Sequence, residues 1–237
     1  MTKIIGHRGA AGLALENSTE SIRAALRSDV DVVEFDVHRT KDNKLVVLHD
    51  KDTRRVAAQN VAINSVTLDE LRGLKLKNGE TLPTLDDALK ILGSKPIIID
   101  VKDEGSAGEL VQTLLRHPKA RVSFASFKHS ELRVLRDRLP DVPVYVLEHL
   151  APWDIIHSAV NLRARGIGLN KWLMNPLTYY LAQRYNLELY VYTLNSGFMG
   201  RLFTRWYPNV NICTDHPEKF SALREAPAVP PAARKAA

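Results

Sequence analysis

The 237-residue chain carries 33 basic and 27 acidic residues, a net charge of +6, and is 45% apolar. That length fits one large α/β domain with a sizeable buried core, and no apolar stretch approaches the roughly 20 residues of a membrane span. The single cysteine, Cys213, excludes an intrachain disulfide and a cysteine-based metal cluster, and no basic run with interleaved aromatics marks a nucleic-acid surface.

The first apolar strand, Lys3 to Gly6, ends on His7-Arg8-Gly9. Those residues interrupt any signal-like segment, so a cytoplasmic location is expected. Glu16-Asn17-Ser18-Thr19-Glu20 opens a helix, with Asn17 as the expected cap and Glu20 completing a capping box. Asp31 to Val37 is the second strand and carries Glu34 and Asp36. Only His38 to Lys44 separate it from the next strand, Leu45 to His49. A parallel crossover needs about a dozen residues or more, and Asp42-Asn43 is a turn signal. These two strands are therefore expected to form an antiparallel hairpin. Asp50 to Pro83 has no clear barrel strand and reads as an insertion over the catalytic rim, with a short capped helix at Thr67 to Leu71.

Six further strands follow, at 96–102, 121–126, 142–147, 166–170, 189–193 and 210–214. Short amphipathic helices precede or separate them at 84–92, 107–115, 129–139, 152–163, 176–185 and 196–206. With the hairpin strand set aside, eight strands with helical crossovers remain. That pattern predicts a TIM (β/α)8 barrel over residues 1–223. A doubly wound open sheet is the alternative, weakened because no Gly-x-Gly-x-x-Gly follows the first strand. The Ala/Pro-rich tail, 224–237, is expected to be disordered.

Barrel enzymes place their chemistry at the C-terminal ends of strands. His7 and Arg8 end the first strand here, Glu34 and Asp36 lie late on the second, His49 and Asp50 end the hairpin strand, and Asp100 and Lys102 end the next. Alternation puts Glu34 and Asp36 on one face, about 6–7 Å apart. Asp100 and Lys102 share a face in the same way. Three carboxylates at one rim repel each other, and a hard divalent cation offsets that repulsion. All-oxygen donors suit Mg²⁺ or Ca²⁺ better than Zn²⁺. Arg8 and Lys102 would face an anion on that metal, and His7 and His49 would serve as acid and base, which describes a phosphodiester cleavage site. Singly, each motif has an ordinary structural explanation: a capping aspartate, a solvated edge, a local Lys102 pair with Asp103 or Glu104. The functional reading rests on their joint order along successive strand ends.

His7-Arg8-Gly9-Ala10, Glu16-Asn17-Ser18, Glu34-Phe35-Asp36-Val37, Thr40-Lys41-Asp42 and Val46-Val47-Leu48-His49-Asp50 closely resemble the glycerophosphodiester phosphodiesterase family. Leu82-Pro83-Thr84-Leu85, Ser126-Phe127, Thr193-Leu194-Asn195 and Thr214-Asp215-His216-Pro217 continue the resemblance to about residue 220. It implies a TIM barrel that cleaves glycerophosphodiesters to glycerol 3-phosphate and an alcohol, with attack by the glycerol 2-hydroxyl as one proposed course. It also implies a divalent metal at Glu34, Asp36 and Asp100, acid–base roles for His7 and His49, and phosphate contacts from Arg8 and Lys102. Three positions depart from the family pattern: Asp100 stands where a longer Glu is usual, Ser18 where Thr is usual, and Tyr192 where Trp is usual.

Two other functions compete with this one. A lysophospholipase D-like enzyme would need an apolar groove at the rim. A non-catalytic phosphodiester-binding barrel would usually have lost a histidine or a carboxylate, and this chain keeps all of them. His38, His117, His129, His149, His157 and His216 are expected at the surface or at helix ends, with His38 touching the edge of the site. Trp153, Trp172 and Trp206 are expected to pack in the core or at the rim, Trp172 lining the substrate mouth. Cys213 is expected to be a packed strand thiol.

Overall fold

In the computed structural model of the chain, residues 2–149, 152–221 and 223 are described. The tail expected beyond residue 223 lies outside them. The elements run β1 (Ile4–Gly6), α1 (Thr19–Arg27), β2 (Val32–Arg39), β3 (Leu45–Val47), α2 (Leu68–Leu71), α3 (Leu85–Leu92), β4 (Pro96–Val101) and α4 (Ala107–Arg116). They continue with β5 (Arg121–Ser126), α5 (His129–Arg138), β6 (Val144–Glu148), α6 (Pro152–Asn161), β7 (Gly166–Asn170), α7 (Pro176–Arg184), β8 (Glu188–Tyr192), α8 (Gly197–Trp206) and β9 (Asn211–Thr214). Sheet order is β1-β9-β8-β7-β6-β5-β4-β2-β3, and a β1–β2 pairing closes the ring. Eight parallel strands thus make the barrel. The ninth, β3, pairs antiparallel with the end of β2, Val37 opposite Val47, because the connection is too short for a crossover.

Strand alternation builds two separate cores. Val33, Phe35, Val37, Ile97, Ile99, Val101 and Phe124 point outward and pack with the helices. Ile5, Ile98, Ala125, Tyr145, Leu147, Tyr190 and Cys213 point inward and fill the barrel. On β2 and β4 the inward positions near the strand ends are Glu34, Asp36 and Asp100, and Asp36 lies in register with Asp100. Outward apolar packing therefore fixes where the inward carboxylates stand.

The insertion packs a small core against Val46 and Leu48 of the hairpin, including Val56, Ile63, Leu71 and Leu74. Its helix α2 carries the expected capping box between Thr67 and Glu70. The box expected at α1 does not form. Ser18 caps the helix, accepting from Ser21 N. The side chain of Asn17 is instead committed to Asp36, a partner that local spacing does not reveal. The three tryptophans are also corrected: Trp153, Trp172 and Trp206 are all exposed, Trp172 at 83%. Among the described residues, no helix is long and apolar enough to cross a membrane.

Candidate active site

His7, Arg8, Glu34, Asp36, His49, Asp100 and Lys102 line one cavity of about 180 Å³. They come from the ends of β1, β2 and β4 and from the segment after β3. The turn after β1 is left-handed, with φ of 50° at Arg8 and 84° at Gly9. A Cβ on Gly9 would lie 2.6 Å from the Ser21 backbone, so the turn requires glycine. It aims Arg8 N at Glu34 Oε2 (2.8 Å) and Gly9 N at the Glu34 carbonyl (2.9 Å). The first loop is thereby bound to the second strand.

Asp36 is the hub. Asn17 Nδ2 donates to its Oδ2 at 2.8 Å, Lys102 Nζ stands 2.7 Å from its Oδ1, and Arg8 Nε lies 3.4 Å from its Oδ2. Lys102 also reaches Asp100 Oδ2 at 2.5 Å. Glu34, Asp36 and Asp100 are buried and each offers an oxygen within 4.8 Å of the others. Asp100 Oδ1 is buried with no hydrogen-bond partner. Burial and the neighbouring Asp36 charge push Glu34 up to about 7. Burial would also raise Asp36, but the Lys102 and Arg8 cations outweigh it and hold Asp36 well below the carboxylate range. Burial raises Asp100 in spite of the Lys102 ammonium. Burial and the Asp36 charge thus push two of the three carboxyls toward their neutral forms in spite of two cations, a crowding that a bound cation would relieve. This donor set fits a hard divalent cation.

The two histidines are held alike. His7 Nδ1 bonds Asp215 Oδ1 at 2.6 Å. Asn195 steadies that carboxylate, donating to Asp215 Oδ2 at 2.6 Å and accepting from Asp215 N at 2.9 Å. His49 Nδ1 bonds Asp50 Oδ1 at 2.7 Å. Each ring thus spends Nδ1 on a carboxylate. Burial alone would lower His7, but the Asp215 bond and the Glu34 charge outweigh it and raise it. Burial lowers His49; the nearby Asp36 opposes this, and the Lys102 and Arg8 cations reinforce it.

The far wall is aromatic: Phe127, Tyr190 and Tyr192, with Leu147, His149, Thr193 and Cys213. Phe127 and His149 stack with ring centroids 4.1 Å apart. A larger cavity of about 560 Å³, lined by Lys3, Asp31, Arg121 and Glu188 among others, includes none of these carboxylates or histidines.

The glycerophosphoryl diester phosphodiesterase family matches residues 7–219. The chain belongs to that family. A glycerophosphodiester phosphodiesterase from Caldanaerobacter subterraneus is 27% identical over 181 residues, covering 69% of this chain and 73% of the relative. A structure of a glycerophosphodiester phosphodiesterase from Parabacteroides distasonis superposes with a TM-score of 0.81 at 29% identity, over 94% of this chain and 96% of that one. An Oleispira antarctica phosphodiesterase, solved with its product sn-glycerol-3-phosphate, shares the fold with a TM-score of 0.88 at 21% identity, over 95% and 98% of the two chains. The protein is a glycerophosphodiester-hydrolysing enzyme on a TIM barrel.

Several residues in or beside the cavity of this phosphodiesterase escape a reading of strand ends alone. Asn195 and Asp215 enter the sequence reading only within the Thr193-Leu194-Asn195 and Thr214-Asp215-His216-Pro217 motifs, and the bond from Asp215 to His7 bridges 208 residues. His149 is exposed, as expected, and also lines the cavity, because it directly follows β6. His38 is buried and reaches the site's edge: its Nδ1 bonds Asp103 at 2.9 Å and its Nε2 stands 3.1 Å from the His49 carbonyl. Trp172 is not among the lining residues.

Proposed function

We propose that the enzyme hydrolyses glycerophosphodiesters to glycerol 3-phosphate and an alcohol, with a divalent cation, Mg²⁺ or Ca²⁺, held by Glu34, Asp36 and Asp100. One observation carries this reading: the unpartnered, buried Asp100 Oδ1 in a carboxylate cluster that shares a single cavity with His7 and His49. The bound cation would supply electrophilic stabilisation of the phosphoryl oxygens.

The chain's own residues do the rest. Arg8 and Lys102 face the diester and draw its phosphate into the cavity. Lys102 spends donors on Asp36 and Asp100 and keeps its third for the anion. His49, the histidine with the lowered pKa, takes the proton of the glycerol 2-hydroxyl as its oxygen bonds phosphorus, and returns a proton to that oxygen when water, deprotonated by His7, later opens the cyclic phosphate to glycerol 3-phosphate. His7, with the raised pKa, gives a proton to the alcohol oxygen as the other P–O bond breaks. Two groups whose environments push their pKa values apart are suited to opposite roles. The aromatic wall receives an organic arm of the diester. Glycerol 3-phosphate bound to the Oleispira antarctica phosphodiesterase supports it as the product here.

The test is product analysis with glycerophosphocholine, glycerophosphoethanolamine and lysophosphatidylcholine. Glycerol 3-phosphate from the first two is expected. Choline release from the lysolipid, with no turnover of either diester, would favour a lysophospholipase D activity instead, the activity named for a human relative that is 31% identical over 115 residues.

The pH dependence follows from the two roles. His49 must be neutral, so activity falls as pH drops through its lowered pKa. His7 must be protonated, so activity falls as pH rises through its raised pKa. Asp215→Asn keeps an acceptor for Nδ1 but removes the charge, so the alkaline limb of kcat/KM moves to lower pH while the acidic limb stays. An unmoved alkaline limb would remove Asp215 and His7 from the proposed proton path.

A further inference from the structure

Arg55 lies outside the cavity, yet it joins two of its walls. Its Nε donates to Asp50 Oδ2 at 2.7 Å, its NH2 group donates to Glu16 Oε1 at 2.7 Å, and its NH1 group donates to Glu16 Oε2. Beyond those carboxylates stand site residues: Glu16 Oε1 accepts from Arg8 at 2.9 Å, and Asp50 Oδ1 holds His49 Nδ1 at 2.7 Å. We propose that Arg55 is a positioning residue that fixes the phosphate-facing Arg8 and the proton-accepting His49 relative to each other by spanning Glu16 and Asp50. The proposal rests on the acid–base reading above and gives the insertion a role in catalysis.

The clamp has a firm base. The Arg55 carbonyl accepts from Lys77 Nζ at 2.7 Å, and neighbouring Val56 is part of the insertion's small core. A second fastening comes from Glu80, whose carboxylate accepts from Thr19 N at 2.9 Å and Glu20 N at 3.2 Å. The insertion is thus tied to the start of α1, close to Glu16, as well as to Asp50. A planar guanidinium can address two carboxylates at fixed angles, and an ammonium cannot. The Arg55 bond, followed by the His49 contact, draws Asp50 down to about 2, so Asp50 stays anionic beside the imidazole. Residues that orient catalytic groups from outside the site lose much of their effect when displaced by a fraction of an ångström.

Arg55→Ala and Arg55→Lys test this. The Arg55 side chain is 43% exposed, so its truncation opens no core cavity, and a thermal melt with circular dichroism confirms that each variant is folded. For Arg55→Ala, kcat/KM on glycerophosphocholine is expected to fall about 10²-fold, the scale of an ångström-level misplacement. The loss should fall on kcat through His49 and on KM through Arg8. Methylguanidinium in solution should restore part of kcat to Arg55→Ala, and Arg55→Lys should recover less than half of the lost activity. In a His49→Ala background, adding Arg55→Ala should leave kcat nearly unchanged while still raising KM. Wild-type kinetics in a folded Arg55→Ala, or full additivity with His49→Ala and no rescue, would overturn the proposal. Failure of the acid–base reading shows separately, as undiminished activity in His49→Ala or Arg8→Ala with Arg55 intact.

Discussion

His49→Ala is expected to leave a folded barrel whose turnover is about 10²–10⁴-fold below that of the parent, the range for loss of a general base. The ring's surroundings carry this expectation. Its Nδ1 is bound to Asp50, its backbone carbonyl receives His38, and burial together with the Lys102 and Arg8 cations lowers its pKa despite Asp36. His7→Ala should cost as much on glycerophosphocholine, where the departing alkoxide needs a proton. The two variants should then part on a diester with an acidic nitrophenol leaving group. That group departs without a proton, so His7→Ala should recover most of its rate and His49→Ala should not. Equal losses on both substrates would contradict the assignment of His7 as acid.

Asp36→Ala should be the most damaging single change to the carboxylate cluster. It removes an oxygen donor from the trio with Glu34 and Asp100. It also takes the partner from Asn17, Lys102 and Arg8 at once. Activity should fall at least about 10²–10³-fold, as when one electrostatic stabiliser is lost. Metal analysis after dialysis separates the causes: the variant should retain far less divalent cation than the parent. Asn17→Ala breaks only the amide contacts to Asp36, at 2.8 and 3.3 Å, and should weaken retention without abolishing it. Full metal retention in Asp36→Ala would place the cation elsewhere.

Much of this site could be read from the sequence because strand alternation is strict. Phe35 between Glu34 and Asp36 must face the helices, and the burial of Phe35 in the outer core sends both carboxylates inward. The hairpin was legible from one short connection, and it brings His49 into the cavity that also holds His7. Long-range polar pairing was not legible. Asn17 has the spacing of a helix cap, but its amide serves Asp36 on β2. Arg55 sits in a segment without strand pattern, so nothing local shows that it spans Glu16 and Asp50. Glu148 beside His149 in the chain does not mark the ring as a cavity residue, and only the end of β6 places it against Phe127. The tryptophans misled because size suggests burial, whereas those at 153 and 172 lie at or just before helix starts and the one at 206 ends α8, all exposed.

The most direct test of the account is release of glycerol 3-phosphate from glycerophosphocholine by the purified chain, before and after chelation. The prediction is turnover that disappears with chelator and returns when Mg²⁺ or Ca²⁺ is restored, because Glu34, Asp36 and Asp100 converge on one buried point. Undiminished release of glycerol 3-phosphate by the fully chelated protein would contradict it.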